Sequence, residues 1–192
     1  MPRTSATTRA KIVDEAYRHA REGGLAALSV RSVARDCGVS VGTLYNYFPD
    51  KAALTAAVIE RFWKEVVFAD GAASCLAYHE GERFVDFCRR VERTFSAALA
   101  DFRTNWLGEM GGLDARSRQR GRATEHAYFD HICTNLEKVA RADAAIDGEA
   151  LEKIGAAKLA RFTWTSMLDH LRRNEPCDTL FALLERALYR AG

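Results

Sequence analysis

Between Ser40 and Lys51 the chain reads SVGTLYNYFPDK, and its chemistry-bearing side chains are spaced as on one short helix. Leu44 and Phe48, four residues apart, give that helix an inward face, while Ser40, Val41, Thr43, Tyr45, Asn46 and Tyr47 fill its other sides. The outer set supplies donors, acceptors and methyl groups of the kind that match base edges, and it holds no carboxylate to repel phosphate. Gly42 costs such a helix about 1 kcal/mol, so its presence predicts a close approach there, by a nucleic-acid backbone or by the preceding helix. Lys51 falls in the first turn of the next segment, behind Asp50 as cap. The helix dipole disfavours a cation at that place unless a phosphate docks against it.

Other reactive groups are scattered. His126, Asp130, His131 and Cys133 share one segment, but two histidines five residues apart lie on different helix faces, and no metal site is assigned. Five cysteines, Cys37, Cys75, Cys88, Cys133 and Cys177, are odd in number and form no CxxC pair, which predicts reduced thiols in place of a disulfide frame or zinc site. A thiol switch through Cys88 or Cys133 is one alternative reading. Another is a helical enzyme using a pocket in the carboxy-terminal part. The chain has no phosphate-cradling glycine loop and no recognisable catalytic motif, so a non-enzymatic role without a cofactor is expected.

The elements that must hold Ser40 to Lys51 are legible from the same rules. Ser29 is an N-cap, and Val30, Val33, Ala34 and Cys37 recur at three and four residues to make one face of a short helix. Gly38 can take a left-handed C-cap without strain. Only Val39 then separates it from Ser40, so the two helices must cross steeply, as in a helix-turn-helix. From Thr8 to Glu22 a first helix buries Ile12, Val13, Ala16 and Ala20, stops at Gly23 and Gly24, and closes over Val33 and Leu44. Arg9 and Arg31 are then placed for backbone phosphates. Met1 to Thr7 reads as an arm, with Arg3 its candidate for a minor groove.

The run GVSVGTLYNYFPDKAAL resembles the signature of the tetracycline-repressor (TetR) family of bacterial transcription regulators, through Gly38, Gly42, Tyr45, Tyr47, Phe48, Lys51 and Leu54. At the level of motif the resemblance covers roughly residues 8 to 60. It implies that Val41 to Tyr47 face the major groove, with Tyr45 on a base or methyl group. Tyr47 and Lys51 would clamp phosphates, and Phe48 would link reader and core. The DNA-facing set is therefore Arg31, Ser40, Val41, Gly42, Thr43, Tyr45, Asn46, Tyr47 and Lys51. The family also implies a small-molecule pocket in the larger domain. Its candidate walls are Trp63, Phe84, Phe87, Trp106, Met110, His126, Phe129, Phe162, Trp164 and Met167, with His126, Arg103 and Asn105 as polar anchors for an apolar or aromatic effector.

The rest of the chain fits an all-α architecture with residues 1–51 as a three-helix DNA-binding domain and 52–192 as a larger helical ligand-binding and dimerisation domain. Residues 1–51 carry eight Lys or Arg against five Asp or Glu, a modestly basic balance. Leu54, Val58, Phe62 and Val66, flanked by Ile59, Trp63 and Val67, predict a connecting helix with two apolar lines. Gly71 to Gly81 reads as a loop. Glu82 to Phe102 comes next as a strongly amphipathic helix, then a short helix near Trp106 and another from Asp114 to Ala140, whose Arg116, Arg118, Arg120 and Arg122 read as solvated. Gly148 to Asn174 reads as one helix with Ala157, Ala160, Trp164, Met167, Leu168 and Leu171 on one side and Leu151, Ile154, Leu159 and Phe162 on the other. Beyond Pro176 come Leu180, Phe181, Leu183, Leu184, Ala187 and Leu188. Apolar surface on two sides of the last two helices predicts a homodimer through a four-helix bundle, hence a palindromic double-stranded operator. No apolar run of membrane-spanning length and no signal peptide is found, and a cytoplasmic protein is expected.

Overall fold

The computed structural model describes residues 8–68 and 74–189; the arm with Arg3 and part of the Gly71 to Gly81 loop lie outside them. The regular structure of the described residues is entirely helical. Ten α-helices run α1 Arg9–Gly23, α2 Val30–Asp36, α3 Val41–Tyr47, α4 Lys51–Val67, α5 Phe84–Ala100, α6 Trp106–Glu109, α7 Ala115–Ala142, α8 Gly148–Ile154, α9 Ala156–Arg173 and α10 Asp178–Leu188. The chain divides into two compact units, one of residues 1–63 with 100–125, the other of 64–99 with 126–192.

In the first unit Ser29 and Ser40 cap their helices as the spacing predicts, and Thr8, expected inside the first helix, caps it instead. Thr8, Ser29 and Ser40 each accept a backbone N–H three residues on, from Lys11, Ser32 and Thr43. Each removes one of the unpaired donors at its helix start, worth about 1 kcal/mol. Gly38 ends the second helix at φ +68°, and the Val39 N–H donates to the Ala34 carbonyl across it at 2.9 Å. That left-handed residue closes α2 and turns the chain into α3. Ile12, Ala16, Ala20, Val33, Ala34, Leu44 and Phe48 are all essentially excluded from water, so α1 to α3 share one small core. Tyr17, which the spacing does not single out, is buried as well and meets Phe102 edge-on at 5.4 Å. Phe62 in turn packs edge-on against Trp63, Phe102 and Trp106. The segment 100–125 is also tied to α1 through the backbone, the Arg103 N–H donating to the Arg21 carbonyl at 2.8 Å.

The second unit is built on α5. Its Phe84, Phe87, Cys88, Val91 and Phe95 are fully buried, as are Ile132 and Leu136 of α7 and Trp164 and Met167 of α9. The Asp143 carboxylate fastens the start of α5, accepting the Phe84 N–H and the Tyr189 hydroxyl, each at 2.7 Å. Burial first, and the bond to Asp143 second, push the Tyr189 phenol well above its usual range.

Two readings of the carboxy-terminal region need correction. Gly148 to Asn174 is not one helix: Gly155 adopts φ +83° and divides it into α8 and α9. A positive φ is a helix break that glycine alone takes at little cost. Within α9 Leu159 is buried on the same face as Ala156, Ala160, Thr163 and Trp164 while Ala157 is exposed, so the inward side of this helix includes Leu159 and excludes Ala157, opposite to the expectation. Nor are all the α7 arginines merely solvated. Arg116 and Arg120 both bond Asp50, and Arg118 donates to the Gly111 and Leu113 carbonyls.

Candidate nucleic-acid interface

Helix α3 owes its orientation to two side chains. Leu44 and Phe48 are buried to within 1% and anchor one face, which leaves the opposite face outward. Tyr45 is 46% and Tyr47 39% exposed, and Ser40, Gly42 and Asn46 are exposed beside them. Val41 and Thr43 are half-buried at the edges, the Thr43 hydroxyl lying 2.8 Å from Ser40 Oγ. Arg31 is exposed on α2. Arg9, from the first turn of α1, lays its guanidinium over the Phe48 ring at 5.0 Å, which anchors a cation beside the reader helix.

Of the two causes proposed for Gly42, one is removed. A Cβ built there would meet nothing nearer than Ser40 Oγ at 3.7 Å, so the preceding helix does not demand a glycine. Lys51 occupies the first turn of α4, where Asp50 Oδ1 accepts the Ala53 N–H at 2.7 Å as the helix cap. Its ammonium bonds the Ala26 carbonyl at 3.1 Å. Two further donors of a lysine ammonium are available beyond that bond.

Sequence reasoning missed the surroundings of Asp50. Arg120 Nη1 reaches Asp50 Oδ1 at 2.8 Å, and Arg116 Nη1 reaches Oδ2 at 3.2 Å. The arginines stand at alternate positions with no stripe on one face, and their partner is some 70 residues away, so no local signal pointed to them.

The expected pocket walls divide between the units. Trp63, Trp106 and Met110 belong to the first, where Met110 packs so closely on α7 that a Cβ at Gly121 would come within 3.0 Å of its Cε. Phe84, Phe87, His126, Phe129, Phe162, Trp164 and Met167 belong to the second. There Phe129 meets Trp164 at 6.5 Å, stacks with His126 at 6.0 Å and lies under the Arg161 guanidinium at 5.6 Å. Phe84, Phe87, Trp164 and Met167 are fully buried. Phe162 does not join them: it is 59% exposed, on the outer side of α9. Asn105 spends its side chain capping α6, and Arg103 is exposed.

Among the described residues Glu15, His19 and Asp36 bring three potential metal-ligand atoms within 4.8 Å of one another. Arg18 bonds Glu15 and Arg35 bonds Asp36, while His19 Nε2 lies 2.8 Å from Asp36 Oδ2. The group is thus already a charge-compensated ion-pair network joining α1 to α2. The Asp36 carboxyl is held below its usual range, first by the hydrogen bond from Arg35. All five thiols are pushed up by burial, Cys75 and Cys133 to about 11 and Cys177 to about 12. Thiols held protonated in this way are poor nucleophiles, which counts against the redox reading.

Comparison with known proteins bears on this geometry. Residues 12–58 match the family model described as bacterial regulatory proteins, tetR family. Over 58 residues the chain is 38% identical to the HTH-type transcriptional repressor KstR of Rhodococcus jostii, an alignment covering 30% of this chain and 27% of KstR. The chain therefore matches only about a quarter of the length of that curated relative. Among solved structures, BioQ with its natural double-stranded DNA operator superposes with a TM-score of 0.58 at 17% identity, over 93% of this chain and 96% of BioQ. The multidrug binding protein EbrR complexed with proflavin superposes with a TM-score of 0.56 at 21% identity, over 93% of this chain and 98% of EbrR. At those identities the two superpositions establish the fold. The matched residues take in most of α1, all of α2 and α3 and the first half of α4, so it is this helix-turn-helix segment that is similar to the tetR family of bacterial regulatory proteins.

Proposed function

We propose that the chain is a ligand-responsive transcriptional repressor that binds a palindromic double-stranded operator as a homodimer. The observation that carries this reading is the polarity of α3, whose apolar pair is buried while Tyr45, Asn46 and Tyr47 stand in solvent with no carboxylate among them. Residues 1–51 read DNA, with Arg31 and Ser40 to Tyr47 against the major groove and its edges and Lys51 on a phosphate. Tyr45 discriminates bases; Tyr47 and Lys51 position the backbone. KstR, a repressor, and BioQ, crystallised on its operator, support the same assignment.

Residues 52–192 bind the effector and the second copy. Phe162 and Leu183 project from α9 and α10 at 59% and 62% exposure, an apolar surface that a matching pair in another copy would cover. The effector is small and apolar or aromatic, received among the aromatic side chains around Phe129 and Trp164; EbrR, which holds proflavin, supports that class. A DNA-binding regulator of this kind works in the cytoplasm, and no helix among the described residues is long and apolar enough to cross a membrane.

The test is selection from a random-sequence duplex library by the full chain. A palindromic consensus bound by two copies, with affinity falling steeply as salt rises, is the expected result. Recovery of no consensus would overturn the reading.

A further inference from the structure

The reader is flanked by cations that its own motif does not include. Residues 100–125 belong to the same compact unit as α1 to α3, and the first turns of α7 carry Arg116, Arg118, Arg120 and Arg122. Two of them converge on Asp50, the last of the three residues between the end of α3 and Lys51. Asp50 Oδ1 is already shared by the Ala53 N–H and Arg120, at 2.7 and 2.8 Å. Arg116 takes the outer oxygen at 3.2 Å and keeps 70% of its side chain in water.

One carboxylate cannot neutralise two guanidinium groups. Asp114, the other acid nearby, accepts the backbone N–H groups of Arg116 and Ser117 as the cap of α7. Hydrogen bonding from Ser117 chiefly holds its carboxyl below the usual range, and Lys51 is among the charges that favour its ionised form. Lys51, Arg116 and Arg120 thus stand against Asp50 and Asp114, which leaves an excess of positive charge around Asp50, three residues past the end of α3.

We propose that the DNA-contacting surface extends onto the start of α7, where Arg116 takes a backbone phosphate flanking the bases read by α3. The inference rests on the reading of α3 as a DNA reader. It adds a contact from a segment some 70 residues beyond the motif. Asp50 holds the Arg116 guanidinium beside the reader in the free protein, and the exposed edge of the fork is presented to the phosphate, the geometry in which arginine binds such groups well. A contact of this kind positions the protein and carries no sequence information.

The experiment measures the affinity of the full chain for a mixed-sequence duplex, and for an operator selected from a random library, as a function of salt. Arg116→Ala is expected to weaken both several-fold by the same factor and to reduce the log–log salt slope by about 0.9, the increment of one phosphate contact. Arg118→Ala removes the same charge two residues away, from a guanidinium engaged by the Gly111 and Leu113 carbonyls, and is expected to leave the slope unchanged. Arg116→Gln repeats the measurement with a side chain closer in length, and thermal midpoints for all variants identify any loss of fold. A wild-type slope in both Arg116 variants, or an equal change in Arg118→Ala, overturns the proposal. If the unaltered chain binds neither duplex with salt dependence, the DNA-binding reading itself fails, an outcome distinct from a failure at Arg116 alone.

Discussion

Gly42 is a residue that helix propensity disfavours and that the packing of the free protein does not require. A methyl group there meets only Ser40 Oγ, at an ordinary contact distance, so the fold has room for alanine. Gly42→Ala should therefore raise the thermal stability of the free chain, by up to about 1 kcal/mol from helix propensity. On the proposed reading of α3 it should also weaken operator binding, because the added carbon lies on the exposed side assigned to DNA. Calorimetric melting together with a titration of the same variant checks both signs; unchanged affinity would remove the reason offered for the glycine. Leu44→Ala tests the opposite face. It empties a fully buried site, with an expected loss of about 2–5 kcal/mol in denaturant unfolding. Residues of this kind were legible because their signal is local: Ser40 caps three residues on, Gly38 turns in place, and Leu44 with Phe48 defines an inside four residues apart. Arg116 and Arg120 were not, since an ion pair with Asp50 leaves no periodic trace in the chain.

At the scale of elements, the same boundary divides what could be read from what could not. Helices α1 to α5 lie within a few residues of their expected ranges because apolar spacing marks each of them and local caps mark the first four. The one long helix expected over Gly148 to Asn174 failed at Gly155, where a glycine inside a periodic run reads equally well as tolerated helix or as a break. Only the fold decides between them; the separate misassignment of Leu159 and Ala157 lies within α9, where adjacent apolar positions at the edge of a face read either way. A second element-level device is the attachment of residues 74–82 to α5. Arg90 donates to the Cys75 and Ala77 carbonyls and to both oxygens of Glu82, at 2.7 to 3.0 Å. Burial by itself would raise the Glu82 carboxyl, but the hydrogen bonds and charge of Arg90 outweigh it, and the group is held below its ordinary 4.5. A carboxyl depressed in the folded state adds stability that is present above pH 4.5 and is lost as the pH falls through its folded value. Glu82→Gln should accordingly flatten the acid limb of the stability profile below pH 4.5 relative to the unaltered chain; an unchanged limb would show that the pair does not contribute.

Over the whole molecule, recognition of a palindrome requires two readers held by one dimer. Replacing Phe162 and Leu183 together by aspartate places charge on the outward apolar faces of α9 and α10 while sparing the core. Sedimentation should then report a monomer, with operator affinity reduced far more than affinity for mixed-sequence DNA, because the half-sites are no longer bound as a pair. A dimer persisting in that variant would move the interface elsewhere. The fold class was legible from helical periodicity throughout the chain. Which of the ten candidate aromatic and apolar side chains receives an effector was not, because a fully buried Phe84 and a half-buried Phe129 obey the same spacing. The central claim is that Tyr45 on α3 selects the DNA sequence, and it is tested most directly by the ratio of operator to mixed-sequence affinity at one fixed salt concentration, in the full chain and in Tyr45→Ala. The ratio is expected to collapse toward one while mixed-sequence binding and its salt slope are kept; a ratio equal to that of the unaltered chain would contradict the claim.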